Sequence, residues 1–305
     1  MANELVRQQV AVIVTTGGPP AAFAAKAVTT TIPIVFLVGA DPVSLGLVTS
    51  LSRPTGNLTG INLFANELEA KRLDLLHELV PRAVRIAVLV NPVDARNTET
   101  TLREVGSAAR HFGLQIQVFN TGSAREIDQA FASIARERLD AVFAGASAFL
   151  NLRRVQLVQS AAFHRLPSSF SFRESAEAGG LMSYGPSITD GYRQFGVYAG
   201  RVLGGAKPAD LPVMQASKFE FIINLTMARL LGLDVSATLL ARADEVNQDC
   251  VSALDLESML LRHPLQNPFS TASTLRGPSR RSLFQRGPLL PAIVLRRCQQ
   301  FRLSR

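Results

Sequence analysis

Apolar residues in this chain gather into short continuous runs, and between the runs they recur at helical spacing. The clearest run covers residues 32–38, Ile-Pro-Ile-Val-Phe-Leu-Val, rich in β-branched positions and lacking the alternation of a half-exposed strand. Such a run reads as a strand buried on both faces of a sheet. Further strands are predicted over 10–14, 85–90, 114–119, 140–144, 167–172, 181–185 and 219–224. Helical spacing predicts helices over 21–28, 67–80, 98–112, 124–136, 150–164, 188–203 and 225–231. A short helix carrying Val43, Leu47 and Leu51 is expected after Pro42, and residues 239–246 end the patterned part. Residues 53–61, punctuated by Pro and Gly, read as a loop with a short extended piece. Strand and helix alternate in two series, the second starting near residue 85. The pattern therefore predicts an α/β protein with parallel sheets covered by helices on both faces.

In open parallel sheets ligands bind at the carboxyl ends of the strands. Polar residues at those ends are Thr15, Thr16, Asp41, Asn91, Asn120, Ser147 and Tyr184. They offer hydroxyls, amides, one carboxylate and a phenol, but no His, Cys or Lys. That set suits hydrogen-bonded recognition of a small polar molecule better than acid–base or nucleophilic chemistry. Asp41 also reads as an N-cap, since Asp before Pro commonly starts a helix; a cap can still face a ligand. The Gly17-Gly18 turn lacks the G-x-G-x-x-G dinucleotide pattern and reads equally as a tight turn or as an anion-holding helix start. The four histidines, at 77, 111, 164 and 263, have no metal-ligand spacing, and no G-x-S-x-G elbow supports a serine nucleophile. No enzyme activity, metal or cofactor is implied.

The net charge of +8 in 305 residues raises a nucleic-acid reading, which its distribution removes. Residues 247–305 carry nine Arg against three acidic residues, leaving 23 basic and 21 acidic residues in the body. No nucleic-acid partner is expected. Both cysteines, Cys250 and Cys298, fall in that last segment, so the body has no disulfide framework. The segment also holds five of the 16 prolines and no hydrophobic period, and it is expected to be a disordered tail outside the fold. No apolar run approaches the ~20 residues of a membrane span. The first ten residues lack the basic and apolar regions of a signal peptide.

Several stretches, in collinear order, carry a resemblance. They are Ile32-Pro-Ile-Val-Phe with Ala40-Asp-Pro42, then Pro54-Thr-Gly-Asn-Leu-Thr-Gly60, then "AKRLDLLHELVPRAVRIAVLVNP". "GGLMSYGPSITDGYRQFGVYAGRVLGGAKPADLPV" and "KFEFIINLTMARLLGL" follow. From about residue 4 to about 246 the chain resembles ABC-transporter substrate-binding proteins of the tryptophan/tyrosine-binding type.

The resemblance implies a type I periplasmic-binding-protein fold, two doubly wound parallel-sheet lobes that close about a hinge on a ligand. One lobe is expected from residues 1–82 and 182–214, the other from 83–181 and 215–246. It implies a small-molecule ligand such as an amino acid or similar polar solute, an ABC permease as partner, and a periplasmic location. By the same resemblance Thr15, Thr16, Asp41, Asn91, Asn97, Ser147 and Tyr184 match ligand-contacting turns. Gly145-Ala-Ser147 stands where relatives often carry an aspartate, so the acceptor for a ligand ammonium is expected to be lost. Relatives begin with a signal peptide and a further strand–helix–strand, so the first lobe is expected to be incomplete, with an exposed apolar edge. A ligand-sensing core of a transcription regulator on the same fold, or a small flavodoxin-like enzyme, are the alternatives.

Overall fold

The structure, a computed structural model, describes residues 2–248, which fall within one compact unit. The chain opens with α1 (Ala2–Arg7), β1 (Ile13–Thr15), α2 (Pro19–Lys26), β2 (Ile34–Val38) and β3 (Leu58–Asn62). It continues through α3 (Glu69–Leu79), β4 (Arg85–Val90), α4 (Ala95–Phe112), β5 (Gln115–Asn120), α5 (Ala124–Glu137) and β6 (Ala141–Ala144). Next come α6 (Ala148–Leu152), α7 (Arg154–Phe163), β7 (Ser168–Phe170), α8 (Arg173–Glu177), β8 (Met182–Pro186) and α9 (Ile188–Leu203). The last elements are β9 (Met214–Gln215), β10 (Phe219–Asn224), α10 (Leu225–Leu230), α11 (Ala237–Arg242) and β11 (Glu245–Asn247).

The strands form two sheets. The first has order β1-β2-β3-β9 and is parallel throughout. The second has order β11-β10-β8-β7-β6-β4-β5 and is parallel except where β10 meets β8. Strands β2 and β4, each interior to its sheet, are buried on both faces, as their uninterrupted apolar runs predict. In β2, Ile34, Phe36 and Val38 pack with Ala22 and Ala25 of α2, whereas Val35 and Leu37 face Phe195 and Tyr198 of α9. In β4, Ile86, Val88 and Val90 face the α3 and α4 side, while Ala87 and Leu89 face Ile127 and Phe131 of α5. This is the period of two expressed against two different layers of helix. Gly60 of β3 lies opposite Phe36, and a Cβ there would stand 2.1 Å from the Phe36 carbonyl oxygen, so only glycine fits.

The chain passes between sheets three times: after Asn62, after Pro186, and between Gln215 and Phe219. The second crossing corrects the expected division. Residues 182–186 do not join the first sheet; they form β8 of the second, antiparallel to β10 and parallel to β7. Met182 is wholly buried in the core cluster under α3, and Tyr184, two residues on, packs against the same cluster. Burial of that shared face holds the segment in the second sheet. Only from α9 onward does the chain return to the first sheet, and β9 already belongs to it through Gln215.

Other expectations shift for local reasons. The helix expected after Pro42 is a turn: Leu47 and Val48 donate to the Pro42 carbonyl, and Gly46, at φ +74°, breaks the right-handed path. The extended piece within 53–61 is the fully buried strand β3. The helix expected over 150–164 is two helices that meet at Arg153. The strand expected over 10–14 reduces to β1 at the sheet edge, where Val14 is 50% exposed. Asn247 pairs with Asn224, so the second sheet extends one residue past 246. The expectation of a disordered tail otherwise lies outside the described residues.

Candidate functional site

A cleft of about 720 Å³ opens between the two sheets at the carboxyl ends of their strands. From the first-sheet side come Thr16, Gly17, Gly18 and Pro19 after β1, Leu37 to Gly39 at the end of β2, and Leu63 and Ala65 beyond β3. Ile188, Thr189 and Tyr192 of α9 complete that wall. From the second-sheet side come Asp94 and Asn97 at the start of α4, Ala146 to Phe149 after β6, and Asn151, Leu152 and Arg154. Phe172 and Glu174, beyond β7, close that wall.

Each wall has a local cause. On the first side, Gly18 adopts φ +75° and Pro19 opens α2, a turn in which proline's missing N–H costs nothing. On the second side, the loop after β6 is clamped through one peptide unit. The Ala146 N–H donates to Glu69 Oε1 at 2.6 Å, and the Ala146 carbonyl accepts from Asn97 Nδ2. Glu69 is wholly buried; Arg72 Nη2 lies 3.6 Å from its Oε1, while Arg72 Nη1 donates to Ser171 Oγ at 2.6 Å. The Arg72 guanidinium also stacks over Phe143 of β6, 4.1 Å from the ring centroid. Burial raises the Glu69 carboxyl to about 7 against the opposing attraction of Arg72, and burial lowers Arg72 to about 10. Desolvation outweighs the ion pair for both partners.

Two contacts tie the walls together. Arg96 of α4 donates to the Leu45 carbonyl and sits over Phe23 of α2, 5.3 Å from its centroid. Gly18 faces Ala148 across the cleft with room for one methyl, since a Cβ there would stand 3.6 Å from the alanine methyl.

The cleft brings together three of the seven residues expected from the sequence: Thr16, Asn97 and Ser147. The other four lie outside its lining. The Thr15 side chain is buried in edge strand β1. Asp41 has no helix to cap and instead closes its own turn, accepting from the Val43 and Ser44 amides at 3.0 and 3.3 Å. Asn91 is likewise spent on a turn: its Oδ1 accepts from Val93 N and its carbonyl from Thr98 Oγ1. Tyr184 stands edge-on to Phe221 of β10 and packs on the core. A strand-end position fixes a residue near the cleft, but the alternation of the strand and the turn's own hydrogen bonds decide its direction.

Sequence reasoning missed the charged and aromatic lining. Asp94 is 9% exposed and burial raises its carboxyl above the usual range; burial also raises that of Glu174. Glu174 Oε2 and Asn151 Oδ1 are buried acceptors without a protein donor among the described residues. Arg154 Nη1 donates to the Asn151 carbonyl at 3.3 Å, and its charge acts on Glu174. Phe149, Phe172 and Tyr192 supply aromatic surface. These residues sit on helix first turns rather than on strand ends, and no sequence period marks which side of a first turn faces a cleft. Among the described residues no group of three His, Cys, Asp or Glu could hold a metal ion, and no helix is long and apolar enough to cross a membrane.

The sequence profile of the family described as ABC transporter substrate binding protein matches residues 1–247. A curated tyrosine-binding protein of Clostridioides difficile is 27% identical over 205 residues, which cover 66% of this chain and 57% of that protein. The chain thus spans little more than half of that relative's length. A Streptococcus pneumonia ABC domain solved in complex with L-Trp superposes with a TM-score of 0.70 at 26% identity, over 81% of this chain and 84% of that one. A conserved domain protein of Vibrio cholerae superposes with a TM-score of 0.73 at 26% identity, over 81% of each chain.

Proposed function

The chain belongs to the ABC transporter substrate-binding protein family, and we propose that it serves an importer by holding one small polar solute between its two sheets. The observation that carries this reading is the cleft itself. It lies where the strands of both sheets end, has the volume of a small-molecule site, and mixes aromatic surface with a few convergent polar groups. An amino acid or similar solute fits that lining. The relative named for tyrosine and the neighbour solved with L-Trp favour the same class.

The three crossings between sheets act as the hinge in this reading, with α1 to β3, α9 and β9 as one lobe and the rest as the other. Hinge closure then buries the ligand, and the closed form is what an ABC permease recognises. A periplasmic or extracellular location follows from that partnership. The test is a thermal-shift panel of amino acids, sugars and small carboxylates on the full chain, followed by scattering of the hit. A true ligand at ~100 times its Kd stabilises by about 2.7 kcal/mol, which is several degrees in Tm, and compacts the molecule. No shift with any solute class would defeat the proposal.

A further inference from the structure

One side chain joins the two lobes by a route other than the three crossings. Arg96, on the first turn of α4, donates through Nη1 to the Leu45 carbonyl and lays its guanidinium over the Phe23 ring, 5.3 Å from the centroid. Neither Phe23 nor Leu45 lies in a crossing, and none of the three residues lines the cleft. Both ends of this contact are held in place. At the first-lobe end the turn after β2 presents three successive carbonyls to cations: Leu45 to Arg96, and Gly46 and Leu47 to Lys26 of α2 at 2.6 and 3.2 Å. The Leu45, Leu47 and Val48 side chains are buried in the first-sheet core, which fixes the acceptor. At the second-lobe end Asn97, next to Arg96, holds the Ala146 carbonyl, and Asn97 and Asp94 both line the cleft. Arg96 thus shares its helical turn with groups that face the cleft.

We propose that Arg96 is a positioning residue, a latch that holds the two lobes together over the cleft and so raises the affinity for a solute it does not touch. This rests on the solute-binding reading and adds to it a determinant of affinity outside the cleft. The physical reason is linkage. A ligand gripped by both walls binds the closed arrangement, so its apparent affinity scales with the fraction of free protein that is closed. A contact made only when the lobes meet raises that fraction. The Arg96 contact has the properties of a latch that releases. Its hydrogen bond needs donor and acceptor within about 3 Å, and its attraction to the ring acts only within about 6 Å, so both end when the lobes part. Arg96 is exposed, and opening returns its guanidinium to water with no buried charge left behind. The wholly buried Glu69 with Arg72 has no such release. A guanidinium also keeps its charge at every physiological pH, so the latch does not titrate.

The test follows lobe separation in the full chain before any ligand is added. Spin labels are attached at Arg53→Cys and Gln129→Cys, exposed positions on the first and second lobes, in a chain carrying Cys250→Ser and Cys298→Ser. Arg96→Ala should lengthen and broaden the distance distribution, moving the closed-to-open ratio by about 5- to 30-fold. Phe23→Leu removes only the ring and should move it by about 2- to 5-fold. Added to Arg96→Ala, Phe23→Leu should move it no further, since one contact is not lost twice. Arg103→Ala, on the same helix and paired with Glu104 at the surface, should leave the distances unchanged. Circular dichroism and Tm establish that each variant is folded. Calorimetry with L-tyrosine then reads affinity, and its Kd in Arg96→Ala should rise by up to the same factor as the lobe ratio falls. Distances in folded Arg96→Ala that match the parent's overturn the latch, whether or not a solute binds. An L-tyrosine Kd that stays constant while the lobes open overturns it too. Opening in Arg96→Ala, with no solute of the wider panel bound by the parent, supports the latch and removes the solute-binding reading alone.

Discussion

The two walls of the cleft are built from different materials. The first-sheet wall is uncharged and mostly backbone, small or aliphatic side chains: Gly17, Gly18 and Pro19, Gly39, Ala65, with Leu37, Val38 and Leu63, and with Tyr192 of α9 as its one ring. The second-sheet wall is side chains with a charge, an amide or a ring: Asp94, Asn97, Phe149, Asn151, Arg154, Phe172 and Glu174. The supports differ in the same sense. Behind the second wall stands a wholly buried ionic cluster, Glu69 with Arg72, which grips the Ala146 peptide. Behind the first stand apolar side chains of the β2 core. In the proposed reading the second wall would carry specificity, and the first would act as a cover joined to it by Arg96.

The largest effect should come from the ionic support. Arg72→Met leaves Glu69 buried without its cation, and we expect a loss of ~3–5 kcal/mol in chemical denaturation. A loss below ~1 kcal/mol would show that the two walls do not differ in how they are held.

Next is the pH dependence of that support. Because burial raises Glu69 to about 7, the folded protein binds a proton at Glu69 more tightly than the unfolded chain, where the carboxyl has its ordinary value of 4.5. The contribution of this group is therefore fully present below about 4.5 and is lost as pH rises through about 7. Glu69→Gln keeps an acceptor for the Ala146 amide but abolishes the slope. Stability curves from pH 4.5 to 8 for the two proteins should converge at neither end in the same way: the variant gains relative to the parent as pH rises. Parallel curves would place the titration elsewhere.

A smaller effect is expected at Asn97, whose side chain holds the other end of the same peptide. Asn97→Ala should cost ~1–3 kcal/mol in stability and lower ligand affinity more than Thr16→Ala does. Equal affinity losses at Thr16 and Asn97 would erase the contrast between walls. Last comes the cover. Gly18→Ala meets only ordinary contact with Ala148 at 3.6 Å, so its cost is the backbone at φ +75° and ψ −165°, a region essentially reserved to glycine, about 1–3 kcal/mol. A Tm within 1 °C of the parent, roughly the scatter of a neutral surface change, would mean that the turn relaxes.

Much of the fold was legible because burial on both faces leaves a plain mark. The run at 32–38 read as a strand buried on both faces and the run at 85–90 as a strand, and β2 and β4 are both interior strands. The stretch at 181–185 read correctly as a strand, but its partner did not show, since a short strand carries no label for the sheet it will join. Gly46 shows the same limit on a smaller scale. The apolar spacing of Val43, Leu47 and Leu51 suggested a helix, and one glycine at φ +74° turned the stretch into a loop that still buries Leu45, Leu47 and Val48.

What the sequence determined by itself is the alternation of buried strand and amphipathic helix, because hydrophobic period is a local property of consecutive residues. It also determined that strand ends carry hydrogen-bonding groups rather than nucleophiles. Which polar groups meet was decided only in three dimensions. Asp41 and Asn91 satisfy their own turns, whereas Asp94, Asn151, Arg154 and Glu174 converge from four separate helices onto one wall. The reason is physical: a hydrogen bond within two or three residues forms wherever the turn forms, but convergence across 80 residues of chain exists only once both sheets have packed.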